Sequence, residues 1–472
     1  MQNLLVMKFG GTSMGSPESI RIVAAICTEQ SQQRPTVAVV SAMSKVTDLM
    51  IETMHRAERG DEDGLGESLS RLRHRHEEAC AALIPREFQA ETRERLDGIL
   101  ARFDRIVRGM LLLRERPPRA LDDAVSLGES LSATLLASYL ESNGQRAMVV
   151  RGSEVIVTDP VHGNATPRME LTQFRAKELL TPLLQEKTLP VVTGFCGATE
   201  EGSITTLGRG GSDFTGTILA SALGASEVWI WTDVDGIMSA DPRIVPDAVV
   251  LPEVTYNEAA ELAYNGAKIL HPRTLLPISE KNIPLWSKNT FNREYPGTRI
   301  VSRTQNADGA RAVTSSKSVV LINVEPNSPA VNPNALMARC LDAIARVNAE
   351  VLAFSSSSYR QSFCFLVRRD ELGEAMKSIE SALSLELNHG YIKPIDVNDD
   401  VGLLAVVGEG MKGTPGLAGR IFTAISRELV NIIAISQGAS ELTIAIVVRR
   451  DGVEKAVKAV HAECGLGKIE TA

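Results

Sequence analysis

The sequence predicts an α/β protein: a mostly parallel sheet with helices on both faces, followed by two smaller units that mix strands and helices. Three observations carry this. Short apolar strands recur with helical stretches between them, the alternation that builds parallel sheets buried on both faces. The stretch from Ser203 to Arg243 reads strand, glycine turn, helix, strand and acidic loop in one run. Near the end the chain repeats itself, with Val367-Arg-Arg-Asp370 recurring as Val448-Arg-Arg-Asp451 and Ser355 matching Ser436 at the same offset.

Taken in order, Leu4-Leu-Val-Met is a short apolar strand that runs into Lys8-Phe-Gly-Gly-Thr-Ser. A lysine at a strand end, followed by Gly10, Gly11 and hydroxyls, can point at phosphates while backbone N–H groups cradle them. The spacing is not that of a Walker loop. Ser16-Pro17-Glu18 opens a helix with a capping serine and a proline at the first position. Residues 36–43 form a buried strand with Ser41 at its tip, and Thr47 follows. From Asp61 to Arg116 the chain is charged and helical, broken at Pro85 and Pro117-Pro118. His74 and His76 stand there at i and i+2, which do not share a helix face, so a solvated helix is expected rather than a metal pair. A further helix runs through Leu127-Gly-Glu129 to Leu140, where a lone glutamate is ordinarily a surface residue. Strands are expected near 147–150 and 155–158, and residues 189–202 read as a buried strand running into a turn.

The 203–243 stretch holds the most chemistry. Thr205-Thr206-Leu207 lead into Gly208-Arg209-Gly210-Gly211, where glycines permit positive φ and close backbone approach. Ser212 and Asp213 suit the N-cap of a helix from Phe214 to Leu223, which Gly224 ends. Val228 to Asp233 is then a buried strand that delivers Asp233 and Asp235 at its carboxyl end, where open α/β sheets bind ligands. A glycine turn feeding a helix start favours an anion. An acidic loop suits Mg²⁺ that keeps water and phosphate ligands, and an arginine between glycines suits a carboxylate. An ordinary βαβ turn can carry the same residues, so this stretch alone does not decide. After Asp241-Pro-Arg243 and a helix from Asn257 to Ala263, Gly266-Ala-Lys268 places a second lysine beside a glycine.

Composition narrows the classes. A chain of 472 residues predicts two to four domains, and 44% hydrophobic with 23% charged residues is ordinary for a globular protein. A net charge of −8 without a dense Lys/Arg block opposes nucleic acid or an anionic membrane as the main partner. No apolar run approaches a membrane span, and MQNLLVMKFGG lacks the features of a secretory signal. The six cysteines are scattered without a C-x-x-C pair, as expected for reduced thiols in a cytoplasm.

Residues 302–316 are small and polar and mark the expected boundary. Beyond them each repeat reads strand, loop, helix, strand, strand, helix, and two such units are expected to pair through their sheets. In the second, Gly408-Glu-Gly410-Met-Lys-Gly413 matches a dinucleotide fingerprint. The next strand ends in Ser436-Gln437 rather than the acidic residue that binds a ribose, so NAD is not expected.

Seven segments stand together in one order: KFGGTS (8–13), SAMSKVT (41–47), SLGE (126–129), TTLGRGGSD (205–213), WTDVDGI (231–237), ADPR (240–243) and GAKILHP (266–272). In this the chain resembles the monofunctional aspartate kinases over nearly its whole length. The resemblance implies an amino-acid-kinase three-layer α/β domain over 1–301, a linker over 302–316, and two α+β ACT domains over 317–392 and 401–472. It implies phosphoryl transfer from ATP, with Mg²⁺ held through the ATP phosphates and not by a side chain, to the β-carboxylate of L-aspartate. That is the entry step to lysine, threonine and methionine synthesis. The regulatory half is similar to that of bifunctional aspartate kinase–homoserine dehydrogenases, and no dehydrogenase segment is expected to follow.

Residue by residue, the resemblance makes Lys8 and Lys268 the stabilisers of the transferring phosphoryl group, with Asp213 holding them. Arg209 would grip the substrate α-carboxylate, Glu129 its α-ammonium, and Ser41, Thr47 and Ser212 would line the substrate pocket. Gly10 and Gly11 would give backbone donors to phosphate, and Thr232, Asp233, Asp241 and Arg243 would surround the nucleotide. Met411, Gly413 and Gln437 would form an effector site for threonine or lysine, in a cytoplasmic homodimer joined through its ACT domains. The chain departs from the pattern twice. Met238-Ser239 stands where many relatives carry Tyr-Thr, and residues 325–338 of the first ACT unit lack the glycines of the second. Two other readings stay open: another acid kinase of the same fold, such as an N-acetylglutamate kinase, and a non-catalytic amino-acid sensor. Glu129, which would have no ammonium to bind in the former, and the full set Lys8, Asp213 and Lys268 weigh against them.

Overall fold

A computed structural model describes residues 3–267, 270–304, 309–329, 331–357 and 362–467. They fall into two compact units. The first comprises residues 1–237, 252–256 and 270–303, and the second 238–251, 257–269 and 304–472.

The first unit is built on ten strands: β1 (Leu5–Phe9), β2 (Thr36–Val40), β3 (Ala147–Val150), β4 (Leu189–Thr193), β5 (Cys196–Ala198), β6 (Ile204–Thr206), β7 (Glu227–Thr232), β8 (Glu253–Thr255), β9 (Leu285–Asn289) and β10 (Thr298–Val301). Eight form one sheet in the order β3-β4-β2-β1-β7-β9-β10-β8, while β5 and β6 make a separate antiparallel pair. Every neighbour in the large sheet is parallel except β9 with β10. This is the mostly parallel α/β sheet the sequence predicts. β1, β2 and β4 are buried at every residue, as an interior strand covered on both faces must be. Ser16 caps the helix Pro17–Gln33 by accepting from the Ser19 N–H.

Four local expectations need correction. Residues 155–158 do not form a strand. Glu154 accepts from the backbone N–H of Arg151 at 2.8 Å, closing a helical turn over Gly152–Val155, and Val157 and Thr158 make isolated bridges only. Ser212 and Asp213 do not cap their helix. Gly210, at φ 68°, takes the cap position, so the helix starts at Gly211 and both polar residues sit in its first turn. Glu129, expected at the surface, is buried in the middle of the helix Pro118–Ser142. His76 is likewise buried, in the helix Glu62–Leu83, while His74 is exposed and pairs with Glu78 at 3.1 Å.

Burial pulls the His76 pKa down to about 4, its Nδ1 lying 2.8 Å from the Leu72 carbonyl. Between pH 6.5 and about 4 the unfolded chain therefore takes up a proton that the folded chain refuses, and stability falls as pH falls. Urea midpoints at pH 7 and pH 5 should drop less in His76→Gln than in the parent chain. An equal drop would assign the acid sensitivity to other groups.

The second unit holds β11 (Ala312–Ser316), β12 (Val319–Val324), β13 (Ala353–Ser356), β14 (Phe363–Arg368), β15 (Asp396–Asn398), β16 (Val401–Val407), β17 (Ile432–Gln437) and β18 (Thr443–Arg449). They form two antiparallel sheets, β13-β14-β12-β15 and β11-β16-β18-β17. Helices Pro333–Arg346 and Leu372–Ala382 cover one face of the first sheet, and Leu417–Arg427 and Val453–Glu463 one face of the second. The other faces meet through Val319, Leu321 and Leu366 against Val401, Leu403, Ala445 and Val447. Strands buried on both sides explain the apolar runs of β16 and of β12, the latter broken only at the half-buried Asn323. An antiparallel sheet here also leaves the Gly408–Gly413 fingerprint without a Rossmann framework. The stretch read as a linker contributes β11, which pairs with β16 from Ala312↔Val407 to Ser316↔Leu403.

Candidate active site

The site grows from the carboxyl end of β1. Lys8 is buried there, and its ammonium lies 2.5 Å from Asp213 Oδ1 in the first turn of the helix Gly211–Leu223. The stem of Lys8 passes under that helix because Gly216 faces it, where a Cβ would come within 3.3 Å of Lys8 Cβ. Gly10 donates to the Trp231 carbonyl of β7 at 3.1 Å and Ser41 donates to the Phe9 carbonyl at 3.1 Å, tying the strand ends on both sides of the lysine.

Around it lies a cavity of about 560 Å³, lined by Lys8, Gly11, Ser41, Thr47, Glu129, Arg209, Ser212 and Asp213 among others. Two left-handed glycines, Gly208 at φ 77° and Gly210 at φ 68°, hold Arg209 in a turn that a side chain at either position would strain. Gly194 lets the β4 end approach that turn, since a Cβ there would stand 2.7 Å from Ser212 Cβ. Six further lining residues were not singled out from sequence: Ala42, Met43, Ser44, Lys45, Asp48 and Phe195. Phe195 follows a strand-ending Gly194 and sits at φ 72°, so a bulky residue just after a strand–glycine junction was the available signal.

Glu129 is the unusual group. Its Oε1 accepts from the Ala42 N–H at 3.2 Å, and its Oε2 is buried with no partner among the described residues. Burial pushes its pKa up to about 8, against the opposing pull of the Ala42 N–H and the Lys8 charge. An unpartnered carboxylate oxygen inside a cavity is costly unless a donor arrives, and a cationic ligand group is the donor that would also restore its charge.

Thr232 and Asp233 stand at the end of β7, the parallel neighbour of β1, with the Thr232 hydroxyl donating to Asp233 Oδ1 at 3.2 Å. Lys268 lies outside the described residues. Asp241 and Arg243 belong to the second unit, where their own side chains pair at 2.6 Å. The effector residues are less open than expected. Met411 is a core residue of the second unit, and the Gly413 N–H already donates to Glu441 Oε2 at 2.7 Å. The helix after them starts only at Leu417, capped by Gly416, because Gly416 rather than Gly413 supplies the left-handed cap. Gln437 ends β17 exposed.

Residues 3–289 match the model of the amino acid kinase family, and residues 404–464 that of the ACT domain. Aspartokinase 3 (chloroplastic) of Arabidopsis thaliana is 31% identical over 97% of this chain and 81% of its own length. The chain belongs to the aspartokinase branch of the amino acid kinase family. Among aspartokinases of known structure, E. coli aspartokinase III in complex with aspartate and ADP, in its R-state, superposes with a TM-score of 0.84. That pair is 29% identical over 98% of this chain and 99% of the other. Bifunctional aspartokinase/homoserine dehydrogenase 1 of Arabidopsis thaliana is 33% identical over 99% of this chain, but the match covers 52% of that protein. The chain thus spans about half the length of the bifunctional aspartokinases it matches. Among the described residues no helix is long and apolar enough to cross a membrane.

Proposed function

We propose that this aspartokinase transfers the γ-phosphoryl group of ATP to the β-carboxylate of L-aspartate, giving 4-phospho-L-aspartate. The observation that carries the proposal is the buried, unpartnered Glu129 Oε2 in one cavity with Arg209 and Lys8. A free amino acid offers an ammonium for the first, a carboxylate for the second and a second carboxylate toward the third. An acetylated amino acid would leave Glu129 without its cation. The E. coli relative solved with aspartate and ADP supports the same substrate pair.

The β-carboxylate is ionised at neutral pH, so the chain needs neither a general base nor a covalent nucleophile. Its task is in-line placement and neutralisation of two like-charged reactants. Lys8 would stabilise charge on the transferring phosphoryl group, Asp213 would fix its ammonium, and Lys268 would join it. Ser41, Thr47 and Ser212 would line the substrate, with the Gly11 N–H donating to phosphate, whereas the Gly10 N–H is already given to the Trp231 carbonyl. Thr232, Asp233, Asp241 and Arg243 would contact the nucleotide. Mg²⁺ would be held by phosphate oxygens and water and would neutralise their charge.

Regulation by an amino acid fits the ACT match and the E. coli relative solved with lysine and aspartate in its T-state. Gln437 keeps its place in that reading, with threonine and lysine as the ligands to titrate. Edge strand β17 exposes Ile433 and Ile435, a feature that fits pairing with a second copy as a homodimer. A hydroxamate assay over aspartate, glutamate and N-acetylglutamate, with and without threonine and lysine, tests the proposal. Aspartate should be the preferred acceptor, and better turnover of either alternative would overturn it.

Arg209→Ala should raise the aspartate KM by roughly one to two decades, the loss of a charged hydrogen-bond pair, with the ATP KM nearly unchanged. A rise in the ATP KM instead would move Arg209 to the nucleotide.

A further inference from the structure

The segment from Met238 to Leu251, which carries Asp241 and Arg243, is folded into the second unit. Its hub is Ser239. The Ser239 N–H donates to the Val249 carbonyl at 2.8 Å, and its carbonyl accepts from Val313 of β11 at 2.8 Å. Its Oγ accepts from the Val249 N–H at 3.0 Å and lies 3.0 Å from Nε2 of His461. His461 is buried in the last turn of the helix Val453–Glu463. With one lone pair of Oγ filled by Val249, the hydroxyl hydrogen is free to donate to Nε2, which requires a neutral ring. Burial favours that neutral form against the opposing charge of Asp247.

Apolar packing fixes the rest of the segment to the same helix. Ala240, Val245 and Ala248 are buried in one core with Val453, Ala456, Val457 and Val460. The tip is closed by the Asp241 carbonyl, which accepts from Ile244 and Val245 at 2.9 Å, and by the Arg243–Asp241 ion pair. Among the described residues, His461 is the one ACT-helix side chain hydrogen-bonded to Ser239. No catalytic or substrate role proposed above uses either residue.

We propose that His461 is a positioning residue for the nucleotide: through Ser239 it sets the turn that presents Asp241 and Arg243 to ATP. This rests on the reading of those two residues as nucleotide contacts. A small movement of the last ACT helix would then be felt as a change in nucleotide affinity, by way of one hydrogen bond and one apolar face.

The test is steady-state kinetics of the full chain carrying Ser239→Ala, His461→Leu, His461→Gln, the Ser239→Ala/His461→Leu double variant and, separately, Arg243→Ala. Loss of one such bond should raise the ATP KM roughly 3- to 10-fold in Ser239→Ala and His461→Leu. The double variant should be no worse than either single one, since both remove the same contact. His461→Gln, which keeps an acceptor, should come within about 2-fold of the parent. The aspartate KM should stay constant throughout. An unchanged ATP KM in both Ser239→Ala and His461→Leu, while Arg243→Ala raises it, overturns the inference. Glutamine performing no better than leucine, with kcat and melting temperature falling together, reduces His461 to a structural residue. If Arg243→Ala leaves the ATP KM unchanged, it is the nucleotide reading of the turn that falls.

Discussion

Replacing Lys8 by alanine should lower kcat by about three decades or more while leaving the aspartate KM within a few-fold, because its charge is asked to act on the transition state. The mature site holds the ammonium 2.5 Å from Asp213, buried on a central strand. Arginine is no equivalent there, since its planar fork places the charge differently from a compact ammonium. Lys8→Arg should therefore fail almost as badly as Lys8→Ala. Lys8→Ala also strands the Asp213 carboxylate, so some loss of melting temperature is expected, and Lys8→Ala/Asp213→Asn should regain stability without regaining activity. Turnover by the double variant near the parent rate would remove Lys8 from the chemistry.

Glu129→Gln should divide the protein's properties in two. Aspartate use should fall roughly 10- to 100-fold for the loss of a charge-assisted contact to the ammonium. The free protein should become more stable, most clearly above pH 8. The sign follows from the raised pKa. Between the ordinary carboxylate value of 4.5 and about 8, the folded protein binds a proton at Glu129 that the unfolded chain has lost. Stability therefore falls as pH rises through that window and stays low above it. At about 1.4 kcal/mol per unit, the full effect is on the order of several kcal/mol, and glutamine removes it. The same ionisation makes aspartate bind better as pH rises toward and past 8, since only the carboxylate pairs with an ammonium. Melting curves and aspartate KM from pH 6.5 to 9, parent against variant, read both effects. A pH-independent aspartate KM in the parent chain would sink this account.

Features written in local chemistry were legible beforehand. Ser16 with Pro17 and the left-handed Gly224 each depend on their immediate neighbours, and each took its expected form. Features decided by distant packing were not. His76 lies between Arg75 and Glu77, and Glu129 between Gly128 and Ser130, and the elements packed against them make those positions interior. The cap at Gly210 was hidden because Ser212 and Asp213 are better capping residues by type. Gly210 took the position because its neighbour turn needs a positive φ. β11 looked like a linker because Ala312–Ser316 is small and polar, and its strand character comes from the partner β16.

That last pairing has a consequence for how the chain reaches its native state. β11 precedes the whole first repeat and β16 follows it, so the second repeat's sheet encloses the first repeat as an insertion. Closing so long an intervening segment in an unstructured chain costs entropy that grows with the logarithm of its length. The first repeat removes most of that length once it folds, because pairing of β12 with β15 brings Leu321 opposite Asn398 and so draws its two ends together. β11 and β16 then stand only a few residues from joined ends, and their zipping becomes a local event. The fold thereby favours an order in its own assembly, with the inserted repeat closing before the enclosing sheet acquires its outer strand.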